Sequence, residues 1–321
     1  MSIQEISADR LKSTEFIKEQ VKAIRSAVGD GKAINALSGG VDSSAVTLLG
    51  HKALKDRLIT VFVDNGLMRE GEPDRVVALF AELGVSVRKL DARDVFFSAL
   101  AGVTDPEEKR EAITQTFYKK VFGRLVQESG AKYLMQGTIL TDVDETVAGI
   151  KRQHNVFEQL GIDPQTAFGY KIIEPLIQLR KDGVRKVARA LGLPDELASR
   201  IPFPGPALAA RVIGDVTPER IEIVRKATVV VEEELQSTNA FQYMAILHND
   251  RVTGMRDGKR DYGLQIEIRC WDSIDARTAQ PTQLGWDVLD RLSARIIENV
   301  PGVVSVTYNI AAKPPSTMEV V

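Results

Sequence analysis

Between the short apolar run Ala33–Leu37 and a helical pattern that reaches His51, the chain reads Ser38-Gly39-Gly40-Val41-Asp42-Ser43-Ser44. Two adjacent glycines let the backbone turn tightly and present consecutive N–H groups, and the helix that follows adds the positive end of its dipole. The string therefore predicts an anion site suited to phosphates. Ser38, Ser43 and Ser44 supply further donors, and Asp42 offers a carboxylate for Mg2+ beside phosphate oxygens. It is not a Walker A loop, because the Gly-Lys-Ser/Thr ending is missing, and it is not Gly-x-Gly-x-x-Gly. The bland alternative is a glycine-bearing turn with no ligand. The whole seven-residue string between strand and helix argues against that.

The surrounding pattern suits such a loop. Phe16, Ile17, Val21, Ile24 and Val28 fall at helical spacing within Thr14–Val28, and Leu58–Val63 is β-branched and aromatic, hence a buried strand. Pro73–Leu83 reads as helix, Val85–Leu90 as strand, Glu107–Glu128 as helix and Tyr133–Gln136 as strand. This alternation predicts an α/β fold, a parallel sheet with helices on both faces and ligands beyond the carboxyl ends of the strands. Thr141–Gly169 is polar and broken by Gly149, Gly161 and Pro164, which predicts a lid or a disordered loop. Leu176–Leu191 resumes as a helix rich in Lys and Arg.

Pro202-Phe203-Pro204-Gly205-Pro206 puts three prolines in five residues and forbids regular structure. A domain boundary is expected there, between residues 1–201 and 202–321. Thr217 and Pro218 look like an N-cap and a first-position proline opening a helix to about Leu235. Phe241–Leu247, Leu264–Cys270 and Val303–Ile310 read as strands, and Leu284–Asn299 as a helix, giving a smaller α+β domain. Gln265, Glu267 and Arg269 alternate with Ile266, Ile268 and Cys270, so that sheet is expected to have one wet face.

Composition narrows the function classes. Lys+Arg 42 against Asp+Glu 44 leaves a formal charge of -2, so no global field draws the chain to nucleic acid or an anionic membrane. Cys270 is the single cysteine, which excludes an internal disulfide framework, a four-cysteine zinc site and an iron–sulfur cluster ligated by this chain. A reducing, cytoplasmic setting is expected. No stretch reaches the ~18 apolar residues of a membrane span.

The loop resembles the pyrophosphate loop of the N-type ATP pyrophosphatases, which adenylate a carbonyl oxygen, release pyrophosphate and let a nitrogen or sulfur nucleophile displace AMP. Over nearly its full length the chain resembles the ATP-pyrophosphatase subunits of two-subunit, archaeal-type GMP synthases. The residues that carry the likeness are Phe62-Val63-Asp64-Asn65-Gly66, Thr104-Asp105-Pro106-Glu107-Glu108-Lys109-Arg110, Gln136-Gly137-Thr138-Ile139, Ile173-Glu174-Pro175-Leu176, Pro202–Pro206 and Lys313-Pro314-Pro315.

The resemblance implies amidation of xanthosine monophosphate to GMP, with ATP as substrate, Mg2+ as cofactor and ammonia from a separate glutamine amidotransferase subunit. It implies that Ser38–Ser44 and Gly137 hold ATP, that Val63 borders the adenosine, and that Asp42, Asp142 and Glu145 match acidic, metal-associated positions. Lys181 matches a lysine that neutralises transferring phosphates. Arg110, Arg211, Gln242, Lys313 and Glu319 match positions that recognise the xanthosine nucleotide. Lys151, His154 and Asn155 fall in the lid, and the carboxyl-terminal domain is implied to form a homodimer.

Taken without the resemblance, Asp142 and Glu145 are more simply a solvated helix start than a metal pair. His154 is then a loop histidine of no special role, and His248 an inert residue near a turn. The chain departs from the family pattern around the lid, where one histidine and two glycines are replaced, and at Ala207, which stands in place of a glycine. A different acceptor, or a catalytically reduced nucleotide-binding dimer, are the alternatives.

Overall fold

A computed structural model describes residues 3–147, 170–198, 203–256, 258–274 and 276–320, without the side chains of 145–147 and 256. Lys151, His154 and Asn155 of the expected lid lie outside the described residues, as does Pro202. The chain divides into two compact units. One comprises residues 1–64, 72–91 and 117–200, and the other comprises 65–71, 92–116 and 201–321.

The first unit is built on five parallel strands, β1 (Ala33–Ala36), β2 (Leu58–Asp64), β3 (Val87–Asp91), β4 (Tyr133–Met135) and β5 (Lys171–Ile173), in the order β3-β2-β1-β4-β5. The path runs outward from β1 to β3 and then returns across β1 to β4 and β5. Right-handed crossovers with that reversal put helices on both faces. The helix Val41–Leu54 is buried on nearly all sides, because the helices Ser13–Val28 and Lys181–Ala190 pack against it. Its lack of a clear polar face follows from that sandwiching.

Three local expectations change in the structure. Residues Leu140–Val147, at the head of the stretch expected as a lid or loop, form a helix, in line with the plain reading of Asp142 and Glu145 as a helix start, and Asp142 in its first turn accepts a hydrogen bond from Ile139 N at 3.0 Å. The helix expected from Leu176 begins only at Lys181, because the stretch after Pro175 turns instead, with Ile177 N and Leu179 N bonded three residues back to Glu174 O and Leu176 O. The helix expected over Glu107–Glu128 is three segments, an α-helix Pro106–Gln115, a π-helix Thr116–Phe122 and an α-helix Gly123–Ser129. Asp105 caps the first segment, accepting from Glu107 N and Glu108 N, with Pro106 at the first helical position.

The second unit carries a long hairpin, β6 (Gln242–Arg256) and β7 (Lys259–Asp272), with a short β8 (Gln280–Pro281) antiparallel to β7 and β9 (Val303–Tyr308) parallel to it. Ile266, Ile268 and Cys270 are buried while Gln265, Glu267 and Arg269 are half-buried, so the alternation read from the sequence is present. The helix Pro218–Leu235 is capped by Thr217, whose hydroxyl accepts from Arg220 N at 3.3 Å. No helix among the described residues is long and apolar enough to cross a membrane.

Candidate active site and nucleotide site

Leu37 N still bonds to Val61 O, and the chain turns immediately afterwards. Gly39 turns it at φ +78°, where a Cβ would also meet Val76 Cγ2 at 3.0 Å, so both conformation and space call for glycine. The serines then tie the loop to itself. Ser43 Oγ donates to Gly40 O at 3.0 Å and accepts from Ser38 N at 3.2 Å, while the Ser38 and Ser43 hydroxyls lie 2.9 Å apart. Gly40 offers no side chain to cap the helix Val41–Leu54, which leaves its first-turn N–H groups suited to an anion. Val41 and Ser44 are buried and point into the core, so the open side of the loop is made by Ser38, Gly40, Asp42 and Ser43.

Behind the loop lies a buried polar relay. Thr60 Oγ1 donates to Asn35 Oδ1 at 2.9 Å, Asn35 Nδ2 donates to Thr47 Oγ1 at 2.6 Å, and Thr47 Oγ1 donates to Ser43 O at 2.8 Å. β2, β1 and the loop helix are thereby fixed to one another. Gly137 follows β4, across the point where the strand order reverses, and a Cβ there would sit 3.2 Å from both Asp42 C and Ser43 N. The carboxyl ends of β1 and β4 therefore bring Gly137 against the loop backbone, the position at which ligands of such sheets bind. Val63 lies at the carboxyl end of β2, paired in register with Leu90.

Lys181 Nζ donates to Asp42 Oδ2 at 2.6 Å. Lys181 stands in the first turn of its helix, where the dipole disfavours a cation, so helix stability does not explain it. Burial pushes the Asp42 carboxyl above the ordinary range, Lys181 pulls it down, and the charge of Asp142 pushes it up. Asp42 Oδ1 is buried with no hydrogen-bond partner among the described residues. A desolvated carboxylate oxygen left open beside a phosphate-type loop fits a hard cation such as Mg2+. Among the described residues no group of three or more His, Cys, Asp and Glu gathers for a metal. Glu145 lies on the helix with Asp142, and its side chain is not among those described.

The second unit holds a separate polar cluster. Glu319 Oε1 accepts from Gln242 Nε2 at 2.8 Å and from Arg211 Nη2 at 3.4 Å. Arg211 and Gln242 are buried, and Phe203, from the proline-rich string, stacks on the Arg211 guanidinium at 4.9 Å and on that of Arg69 at 3.9 Å. Arg211 Nε and Glu319 Oε2 are buried without hydrogen-bond partners among the described residues, one donor and one acceptor left open. Three of the five expected nucleotide residues thus meet. Lys313 Nζ instead donates to Ala276 O at 2.7 Å, and Arg110 lies 3.7 Å from Glu107 Oε1 on its own helix.

Lys109, quoted above only as part of a motif string, and the partners of the tail have no role assigned by the sequence. Lys109 is fully buried and donates to Val212 O at 2.8 Å, joining the helix that carries Arg110 to the residue after Arg211. Its spacing from Ile113 and Thr116, both buried, is the available signal. His248, expected to be inert, has its Nε2 2.8 Å from Glu267 Oε2. No local pattern announces that pair.

A family model described as NAD synthase matches residues 11–121, which contain the loop, and one described as GMP synthase C terminal domain matches residues 230–320. The first of these, with the reversed parallel sheet and its loop, defines the class: an ATP-pyrophosphatase-type nucleotide-binding domain. The chain is 50% identical to a glutamine-hydrolyzing GMP synthase subunit of Archaeoglobus fulgidus, over 95% of this chain and 98% of that protein. It is 45% identical to the same subunit from Methanopyrus kandleri and 48% identical to that from Pyrococcus horikoshii, each over 95% of this chain and 98% of the relative. The chain belongs to this family of GMP synthase subunits.

Proposed function

We propose that this chain is the synthetase subunit that makes GMP from xanthosine monophosphate. A carbonyl oxygen of the xanthine base attacks the α-phosphorus of ATP and pyrophosphate leaves. Ammonia then adds to the activated carbon, loses a proton and displaces AMP. The enzyme needs no nucleophile of its own, so its work is positioning and charge neutralisation. In this reading the loop Ser38–Ser44 holds the leaving pyrophosphate, Gly137 keeps the approach open, and Val63 borders the adenosine. Lys181 neutralises charge on the phosphates. Asp42 and Asp142, with Glu145, would hold Mg2+, which supplies further neutralisation of phosphate charge when bound.

The observation that carries the choice of acceptor is the Arg211–Gln242–Glu319 cluster. Its open donor and open acceptor complement a nucleotide with both acceptor oxygens and hydroxyl or N–H donors, whereas Glu319 would repel a carboxylate acceptor. Arg110 and Lys313 complete recognition of the same nucleotide. The segment 202–321 would serve both nucleotide recognition and homodimer formation. Exposed Ile274, Trp286 and Ile310 on it are the apolar side chains such a contact would cover. Ammonia would come from a separate glutamine amidotransferase subunit, Lys151, His154 and Asn155 would belong to the lid that keeps water from the adenylate, and the assembly would work in the cytoplasm.

The test is pyrophosphate release with ATP, Mg2+ and ammonium. Release that depends on xanthosine monophosphate is expected. Release only with another acceptor overturns the substrate, and binding without turnover overturns the enzymatic reading.

A further inference from the structure

Among the described residues after β9 an isolated bridge ties the tail back, Lys313 N donating to Ala279 O at 2.8 Å and Ala279 N to Lys313 O at 3.1 Å, yet six residues further on Glu319 must stand against Arg211 and Gln242. Beyond that bridge, two kinds of contact hold residues 317–320. Met318 is buried in a cluster with Met244, Ile246, Trp271 and Ala279, and Val320 packs at its margin. Met244 is registered opposite Arg269 and Ile246 opposite Glu267, and residues directly opposite in an antiparallel pair share a face. The tail therefore crosses the face that carries Arg269 and Glu267, the face read from the sequence as wet.

There Arg269 Nη1 donates to Thr317 O at 2.6 Å and to Met318 O at 3.4 Å, while its Nε donates to Glu267 Oε1 at 2.6 Å. Glu267 Oε2 in turn meets His248 Nε2 at 2.8 Å. Within the tail, Thr317 Oγ1 donates to Glu319 O at 2.6 Å. Apolar packing of Met318 sets how deep the tail sits but is non-directional, whereas a planar guanidinium bonded to two successive carbonyls sets its rotation. One residue further on, that rotation aims the Glu319 carboxylate. Burial pushes the Glu267 carboxyl up, but the bonds from His248 and Arg269 outweigh it and keep it ionised below the ordinary range, so it continues to hold Arg269.

We propose that Arg269, braced by Glu267 and His248, is a positioning residue that sets Glu319 in the nucleotide site. The role rests on the reading of Arg211, Gln242 and Glu319 as the xanthosine nucleotide site. Arg269 donates to the tail backbone and to Glu267, and it acts on the acceptor through Glu319.

Steady-state constants of the full chain with Arg269→Gln, Glu319→Gln and the double variant test this, with ATP and ammonium as co-substrates. Arg269→Gln is expected to raise KM for xanthosine monophosphate about ten-fold while leaving KM for ATP within about two-fold, the loss of charge-assisted bonds being felt on one side of the reaction only. In the Glu319→Gln background the same change is expected to add less than about two-fold, since residues acting through one group are not additive. Arg269→Lys, which keeps the charge but loses the fork, is expected to recover only part of the affinity. Losses that multiply in the double variant, equal shifts for both substrates, or an unchanged xanthosine monophosphate constant would each overturn the proposal. If Arg269→Gln does not fold, as judged by thermal unfolding, His248→Gln carries the same selective expectation at about two-fold, because it removes only the outer brace. Should the unaltered chain turn over a different acceptor, the reading of the site fails by itself, and the coupling between Arg269 and Glu319 is then measured on that acceptor.

Discussion

Asp42 and Lys181 form an ion pair with Oδ2 to Nζ at 2.6 Å, while the other Asp42 oxygen is buried and open. The two residues lie 139 positions apart, at the first turns of two helices packed against each other. A single carboxylate thus faces a protein cation on one side and space suited to a metal ion on the other.

The pair predicts a pH effect. Burial first, and Asp142 after it, raise the Asp42 pKa, and Lys181 lowers it. A raised carboxylate pKa means that the folded state holds its proton to higher pH than the unfolded chain, so this group's stability contribution is present at low pH and lost as pH rises through the folded value. Activity, which needs the carboxylate, should fall on the acid side above the ordinary carboxylate range. Lys181→Ala should move that limb to higher pH and lower kcat about a hundred-fold. Asp42→Asn should abolish turnover without lowering the midpoint of thermal unfolding at neutral pH. Profiles of kcat against pH for the three proteins check this.

Gly137→Ala should damage ATP use selectively. The added Cβ would lie 3.2 Å from the Asp42 and Ser43 backbone and 3.3 Å from Asp42 Cβ, and backbone atoms yield poorly. We expect KM for ATP to rise about ten-fold with a stability loss of about 1–3 kcal/mol, read from ATP titration and from denaturant unfolding.

Glu319→Gln should raise KM for xanthosine monophosphate by roughly ten- to a hundred-fold and leave that for ATP nearly unchanged. Arg211 is buried, and with the carboxylate neutralised its charge loses its counterion, so thermal stability should fall as well. Equal effects on both substrates would count against a nucleotide role for the cluster.

Lys109 predicts an alkaline signature in stability. Burial lowers its pKa to about 8, with the Arg220 charge adding to the effect and Asp215 and Asp105 opposing it. Between about 8 and the ordinary lysine value of 10.5, the unfolded chain binds the proton and the folded chain does not, so stability should rise with pH in that window. The gain is at most about 3 kcal/mol, and Lys109→Met should remove the slope. Unfolding at pH 7.5 and 9.5 measures it.

Much of this molecule is legible in the sequence alone. Gly39 and Gly40 mark the turn, the run Leu58–Val63 marks β2, and the alternation around Ile266, Ile268 and Cys270 marks a half-buried strand. β5, three residues long, is not legible, and the helix Leu140–Val147 is legible only as a start at Asp142 and Glu145, because neither is long enough to show a period before other punctuation intervenes. The motif strings that carry the resemblance point to Arg110, Arg211, Gln242, Lys313 and Glu319 alike, and only tertiary contacts show that Arg211, Gln242 and Glu319 meet.

By itself the sequence determined what is local: strand, turn and helix follow from spacing and from glycine's freedom at positive φ, properties of a few adjacent residues. The tertiary structure decided which distant side chains share a site. Gln242 and Arg211 reach Glu319 across 77 and 108 positions, and Arg269 turns the tail from a face that alternation alone reads as solvated. Such pairings depend on how sheets, helices and the tail pack, and no periodicity along the chain encodes them.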